Sequence, residues 1–215
     1  MSNNKKTTKS GYSLIELLVV MGIIFLLAGV TLINHNRFGR EIDLENTAYN
    51  VALTIRQAQA FGINRRDSLS TGFEEPKPYG VYFKTNVLSP VPGISDESFM
   101  VFIDDEGGAF GTDNLFSKNS GSSSSCIANS SDECISIVTL TKGVYISELC
   151  AGDNEATCTE VDELHITFKR PNPDAIIKSS SVASYAYAEI TITSPIAGIA
   201  AQRISVGTAG QISIK

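Results

Sequence analysis

Gly11-Tyr12-Ser13-Leu14-Ile15-Glu16 opens the stretch that decides the fold, and Leu17–Ile33, LLVVMGIIFLLAGVTLI, completes it. Over Tyr12–Ile33 the only charged side chain is Glu16. As a helix these residues extend roughly 33 Å, against about 30 Å for the hydrocarbon core of a bilayer. The residues before them, MSNNKKTTKS, carry Lys5, Lys6 and Lys9 and no acid. Positive charge on that side predicts a single-pass segment in the cytoplasmic membrane, with its N-terminus inside and the rest of the chain exported.

Glu16 does not suit an ordinary anchor. A carboxylate at the centre of a membrane helix costs about 2.5–3.5 kcal/mol on insertion scales, and less near an end. An acid in such a place calls for a function and a partner. A secretory signal peptide is one alternative, but its apolar region is shorter and ends in small residues. An uncleaved signal anchor is another, and it leaves Glu16 and its spacing from Gly11 unexplained.

The basic leader, Gly11, the aromatic Tyr12, Glu16 and the apolar run together resemble the type IV prepilin signal. The resemblance covers about the first 30 residues, and Tyr12 stands where the family usually has Phe. It implies that a prepilin peptidase removes residues 1–11, cutting between Gly11 and Tyr12, and then methylates the Tyr12 amine. Glu16 becomes the fifth residue of the mature chain and serves assembly. There it neutralises the Tyr12 amine of a neighbouring subunit, since opposite charges attract more strongly in a low-dielectric setting than in water. The implied partners are the peptidase, other pilin or pseudopilin subunits, an assembly platform with its ATPase, and membrane lipid. The implied role is a structural subunit of a type IV pilus or a type II secretion-like filament outside the membrane. Two alternatives stay open: a pilus subunit that acts as adhesin or DNA-uptake receptor, and a membrane-anchored domain that never assembles.

Beyond Ile33 the chain turns polar without a helix breaker. Leu44, Ala48, Val51, Ala52, Ile55 and Ala58 recur at steps of 3 and 4, as on one face of an amphipathic helix. The pattern predicts one helix over 12–63, with 12–33 transmembrane and a stop near Gly62 and Asn64. Residues 64–215 read as a β-rich head with strands at Tyr79–Lys84, Ser98–Asp104, Ile135–Leu140, Val144–Leu149, Leu164–Lys169, Tyr187–Thr193, Arg203–Val206 and Gln211–Ile214. Lys142-Gly143 and Ala209-Gly210 mark two hairpin turns. The fold class is therefore α+β, a long N-terminal helix packed on an antiparallel sheet, and the prepilin resemblance implies that this is the pilin fold. LTIRQAQAFGINRR, YGVYF and the final RISVGTAGQISI are similar to H-type pseudopilins and FimT-like minor pilins.

The chain has 17 basic and 23 acidic residues among 215, a net charge of −6. Without residues 1–11, 14 basic residues face 23 acidic ones, a balance of −9. Nucleic-acid binding driven by bulk charge is not expected from such a chain. Arg65-Arg66 and Lys169-Arg170 read as solvated pairs. Arg37 and Arg40, just past the apolar run, read as contacts to lipid headgroups.

Cys126, Cys134, Cys150 and Cys158 all lie in the exported part, and an even count there favours disulfides over a zinc site. A hairpin at Lys142 permits 134–150 with 126–158. The local pairs 126–134 and 150–158 are favoured. Asp104, Asp105, Glu106 and Asp113 are calcium candidates, because hard cations take oxygen ligands from acidic loops. Their spacing is not that of an EF-hand, and a solvated turn is the preferred reading. Lys118–Ser125 reads as a flexible loop by composition. His165, between inward Leu164 and Ile166, reads as an exposed strand position. No catalytic or phosphate-binding motif occurs, so no enzyme and no cofactor is expected.

Overall fold

The computed structural model describes residues 11–64, 77–85, 94–104, 113–116, 133–179 and 184–215. Within the first of these ranges the side chains of residues 31–37 are not described. The leader up to Ser10, Arg65-Arg66, Asp105, Glu106, Cys126 and the Ser-rich run 118–125 lie outside the described residues.

Helix α1 runs over Leu14–Ile63. The chain divides into two compact units, Met1–Gly39 and Arg40–Lys215.

In the second unit, α1 presents one face of small and branched side chains to a hydrophobic core. Leu44, Ala48, Val51, Ile55 and Ala58 are all at most 1% exposed, and Ala52 is buried beside them. The predicted face is the observed one. The helix stops at Ile63, at the expected end, with Gly62 in its last turn. A Cβ there would strike the Phe168 carbonyl, so close approach to the sheet is what requires glycine. The helix closes with Asn64 N donating to Ala60 O at 2.9 Å.

Eleven strands are described: β1 (Tyr79–Lys84), β2 (Ser98–Ile103), β3 (Cys134–Thr139), β4 (Tyr145–Gly152), β5 (Thr159–Glu160), β6 (Glu163–Phe168), β7 (Ala175–Lys178), β8 (Ser184–Tyr185), β9 (Tyr187–Thr193), β10 (Gln202–Gly207) and β11 (Ile212–Ile214). They form two sheets rather than one. The first has the order β3-β2-β1-β6-β7-β8 and the second β11-β10-β9-β4-β5. All pairings are antiparallel. Phe83, Phe99, Leu164, Ile166 and Phe168 of the first sheet share a single core with Leu149, Ile190, Ile192, Ile204 and Val206 of the second and with the buried face of α1.

The turn at Ala209-Gly210 does join a hairpin, with Ile204 opposite Ile214 and Gly210 at φ +75°. The expected hairpin at Lys142-Gly143 does not form. β3 pairs with β2, and β4 pairs with β9, in the other sheet. The turn closed by Val144 N on Thr141 O at 2.9 Å is instead the corner where the chain changes sheets. Arg40 Nη1 donates to Lys142 O at 2.9 Å, so this arginine fastens that corner.

Candidate processing and assembly site

Gly11, Tyr12 and Ser13 precede the first helical residue, Leu14. Ser13 O accepts from Glu16 N at 3.0 Å and from Leu17 N at 3.2 Å, which starts the helix one residue after Ser13. The Gly11–Tyr12 bond therefore lies in non-helical backbone. Tyr12 is 87% exposed, and nothing lies within 4 Å of where a Gly11 Cβ would be. Glu16 occupies the first turn and is exposed. An acid there is favoured by the unpaired N–H groups and the positive end of the helix dipole. That gives Glu16 a local reason to be tolerated in a polar setting, but no reason to stand in an apolar run.

The side chains of the apolar run are largely exposed. Leu14, Ile15, Leu18, Ile23, Ile24, Phe25, Leu26 and Leu27 are each more than half exposed. They lie on all sides of the helix, so this is not an amphipathic face. Among the described residues no helix is long and apolar enough to cross a membrane. The described side chains of the run stop at Val30, whereas the apolar sequence continues to Ile33.

Residues 6–32 match the family model of the prokaryotic N-terminal methylation motif. The chain carries a prepilin-type methylation motif. The motif is consistent with a type IV pilin-like protein, and it contains Gly11, Tyr12 and Glu16. Neither a curated protein nor a solved structure matches the chain.

The other singled-out residues lie in the second unit, away from the methylation motif in sequence. Cys150 and Cys158 form a disulfide with Cα atoms 5.5 Å apart, one of the two favoured local pairs. It closes over the 3₁₀ turn Glu155–Thr157, which Asn154 caps through its side-chain oxygen. Cys134 is also disulfide-bonded. Of the calcium candidates, Asp104 and Asp113 are described. Asp104 Oδ2 accepts from Asn114 N at 2.7 Å, and Asp113 Oδ1 from Leu115 N at 2.8 Å. Both carboxylates thus fix the segment 113–116. No group of three or more His, Cys, Asp or Glu poised for a metal occurs among the described residues.

His165 is not the exposed position that alternation predicts. It is 3% exposed, because the far face of the first sheet is covered as well. There Tyr82, Ile94, Met100 and Phe102 form a second cluster with Phe116 and Ile137. His165 lies opposite Tyr82, with ring centroids 4.7 Å apart, and its Nδ1 accepts from Phe116 N at 2.9 Å. Burial, then the Lys178 and Lys84 ammoniums, pull its pKa down to about 3, so the ring is neutral at pH 7. Tyr82 donates to Glu163 Oε2 at 3.0 Å, and burial with that carboxylate pushes the phenol up. Lys178 Nζ donates to Asp113 O at 2.6 Å. These groups clamp one loop segment onto a sheet. The signal for them was present in Tyr79–Phe83 and Ser98–Ile103, whose near-continuous apolar character is that of strands covered on both faces.

Proposed function

We propose that this chain is a structural subunit of an extracytoplasmic filament, a minor pilin or pseudopilin, matured by a prepilin peptidase. The observation that carries the reading is the methylation-motif match over residues 6–32, with Gly11–Tyr12 in exposed, non-helical backbone just ahead of a helix whose apolar side chains are exposed. The peptidase cuts between Gly11 and Tyr12 and methylates the new amine. Residues 12–33 then hold the subunit in the cytoplasmic membrane, with the leader side inside and the β-rich unit exported. An assembly platform and its ATPase pass it into the filament beside other pilin-like subunits.

The chemistry of assembly follows from two charges. Cleavage leaves an amine at Tyr12, and Glu16 keeps its carboxylate four residues on. Each is costly to bury alone, and breaking a buried pair by removing one partner typically costs 3–5 kcal/mol. A subunit whose Glu16 meets a neighbour's Tyr12 amine fixes its axial register by that pairing.

The test compares Glu16→Ala and Glu16→Gln with the wild type in cells that assemble the filament. Cleavage at Gly11 is expected to proceed in both variants, with the subunit left in the membrane fraction and missing from sheared filaments. Normal incorporation of both variants would overturn the role given to Glu16.

A further inference from the structure

Sheet edges are a liability that proteins blunt with very short strands, with Lys or Pro, or with a covering segment. Three of the four edges here are short: β8 and β5 have two residues each and β11 has three. β3 is the exception. It has six residues, CISIVT, with no charge and no proline. Leu140 N donates inward to Glu97 O at 2.8 Å, and Ser98 pairs with Thr139 and Met100 with Ile137. By antiparallel alternation, Thr139 and Ile137 turn their N–H and C=O groups outward. The register slips between Val101 and Phe102, which makes Ile135 the extra, exposed residue and leaves 136–140 straight.

Beside this edge lies a cleft of about 270 Å³ between β3 and α1. Asn50, Thr54 and Gln57 of α1 form one wall, Val138 and Thr139 the other, and Phe99 lies at the floor. No charged side chain lines it. The volume lies just below the range of small-molecule pockets and suits inserted side chains. We infer that the outer edge of β3 at Ile137–Thr139, which pairs with no strand among the described residues, and its cleft receive an extended, uncharged peptide segment of another protein, which adds a seventh strand to the first sheet. Its backbone pairs with Ile137 and Thr139, and alternate side chains enter the cleft over Phe99. Main-chain pairing of this kind supplies affinity, and the pocket for alternate residues supplies selectivity. The described edges of a second copy are too short to fill the role, apart from β3 itself, which would give a two-fold dimer. The inference is independent of the processing reading, because the cleft lies wholly within residues 47–141.

The experiment uses the full chain in detergent micelles and a fluorescent nonapeptide of alternating Thr and Val. Its controls are the same peptide N-methylated at alternate residues and a Glu/Lys alternating peptide. Saturable binding of the Thr/Val peptide is expected. Ile137 and Thr139 amides should exchange at least tenfold more slowly when it is bound. The N-methylated and charged peptides should bind at least tenfold more weakly, as should the Thr54→Arg variant, which blocks the cleft from the helix side without touching the sheet. Absence of saturable binding would overturn the inference, as would equal binding by the N-methylated peptide or by Thr54→Arg. Protection of both amides before peptide is added would also overturn it. If that protection is independent of protein concentration, the chain's own segment fills the edge, and if it rises with concentration, a second copy does.

Discussion

α1 uses hydrophobic side chains in two different ways. Over Leu14–Val30 they occur on every side and stay exposed, with Leu14 at 80% and Phe25 at 75%. Over Leu44–Ala58 they are confined to one face and vanish into a core. The difference is visible in residue size. The buried face alternates Ala48, Ala52 and Ala58 with Leu44, Val51 and Ile55, small residues that let two sheets approach the helix. The exposed half is built from Leu, Ile, Val and Phe, which a bilayer or a neighbouring helix would solvate. The first half keeps its hydrophobic side chains exposed, and the second buries its own in the core of its unit.

The comparison predicts that the stability of residues 40–215 is set by groups in that unit alone. The largest effect should come from pH. His165 has a folded pKa of about 3, against 6.5 for the unperturbed group, so the unfolded chain binds its proton first. Its contribution is fully present above about pH 6.5 and is lost as pH falls toward 3. By the linkage relation it amounts to roughly 4–5 kcal/mol over that window. Urea melts at pH 7 and pH 4 should show the fall, and His165→Gln should flatten it. A pH-independent midpoint in wild type would remove His165 from the core account.

Next in size is Ile55→Ala, which opens a cavity at a fully buried position and should cost about 2–5 kcal/mol. Leu18→Ala, at a position 62% exposed, should leave the melting of the second unit unchanged. Equal losses would break the division between the two halves of the helix. Removing the disulfide by a Cys150→Ser, Cys158→Ser double variant should cost about 2–3 kcal/mol, the chain-entropy value for so short a loop. The smallest effect is expected for Glu155→Gln. Its carboxylate pairs with Lys215 at an exposed site, and exposed pairs contribute little. In the wild type the Lys215 hydrogen bond and charge should hold the Glu155 titration below the usual carboxylate range in NMR, while the variant melts as the wild type does.

Much of the fold was legible because periodicity is a local property. The Leu44–Ala58 stripe and the alternations Leu164/Ile166/Phe168 and Ala188/Ile190/Ile192 mark buried positions directly. What sequence missed is what depends on distant partners. β5 and β8 have two residues each and exist only by pairing with β4 and β7. β7, AIIK, is too short for its alternation to stand out. The Lys142-Gly143 turn has hairpin chemistry, yet β2 and β9 compete for its two strands and win. His165 was misplaced because alternation assigns one dry face per strand, and this sheet has two. The methylation motif was legible in full, since Gly11, Tyr12 and Glu16 stand within six residues.

The central claim is that the chain is matured at Gly11–Tyr12. Mass spectrometry of the N-terminus, on protein from cells with an active prepilin peptidase, tests it most directly. The predicted result is a chain beginning at Tyr12 and heavier by one methyl group on its amine. A chain that keeps residues 1–11 in those cells would contradict it.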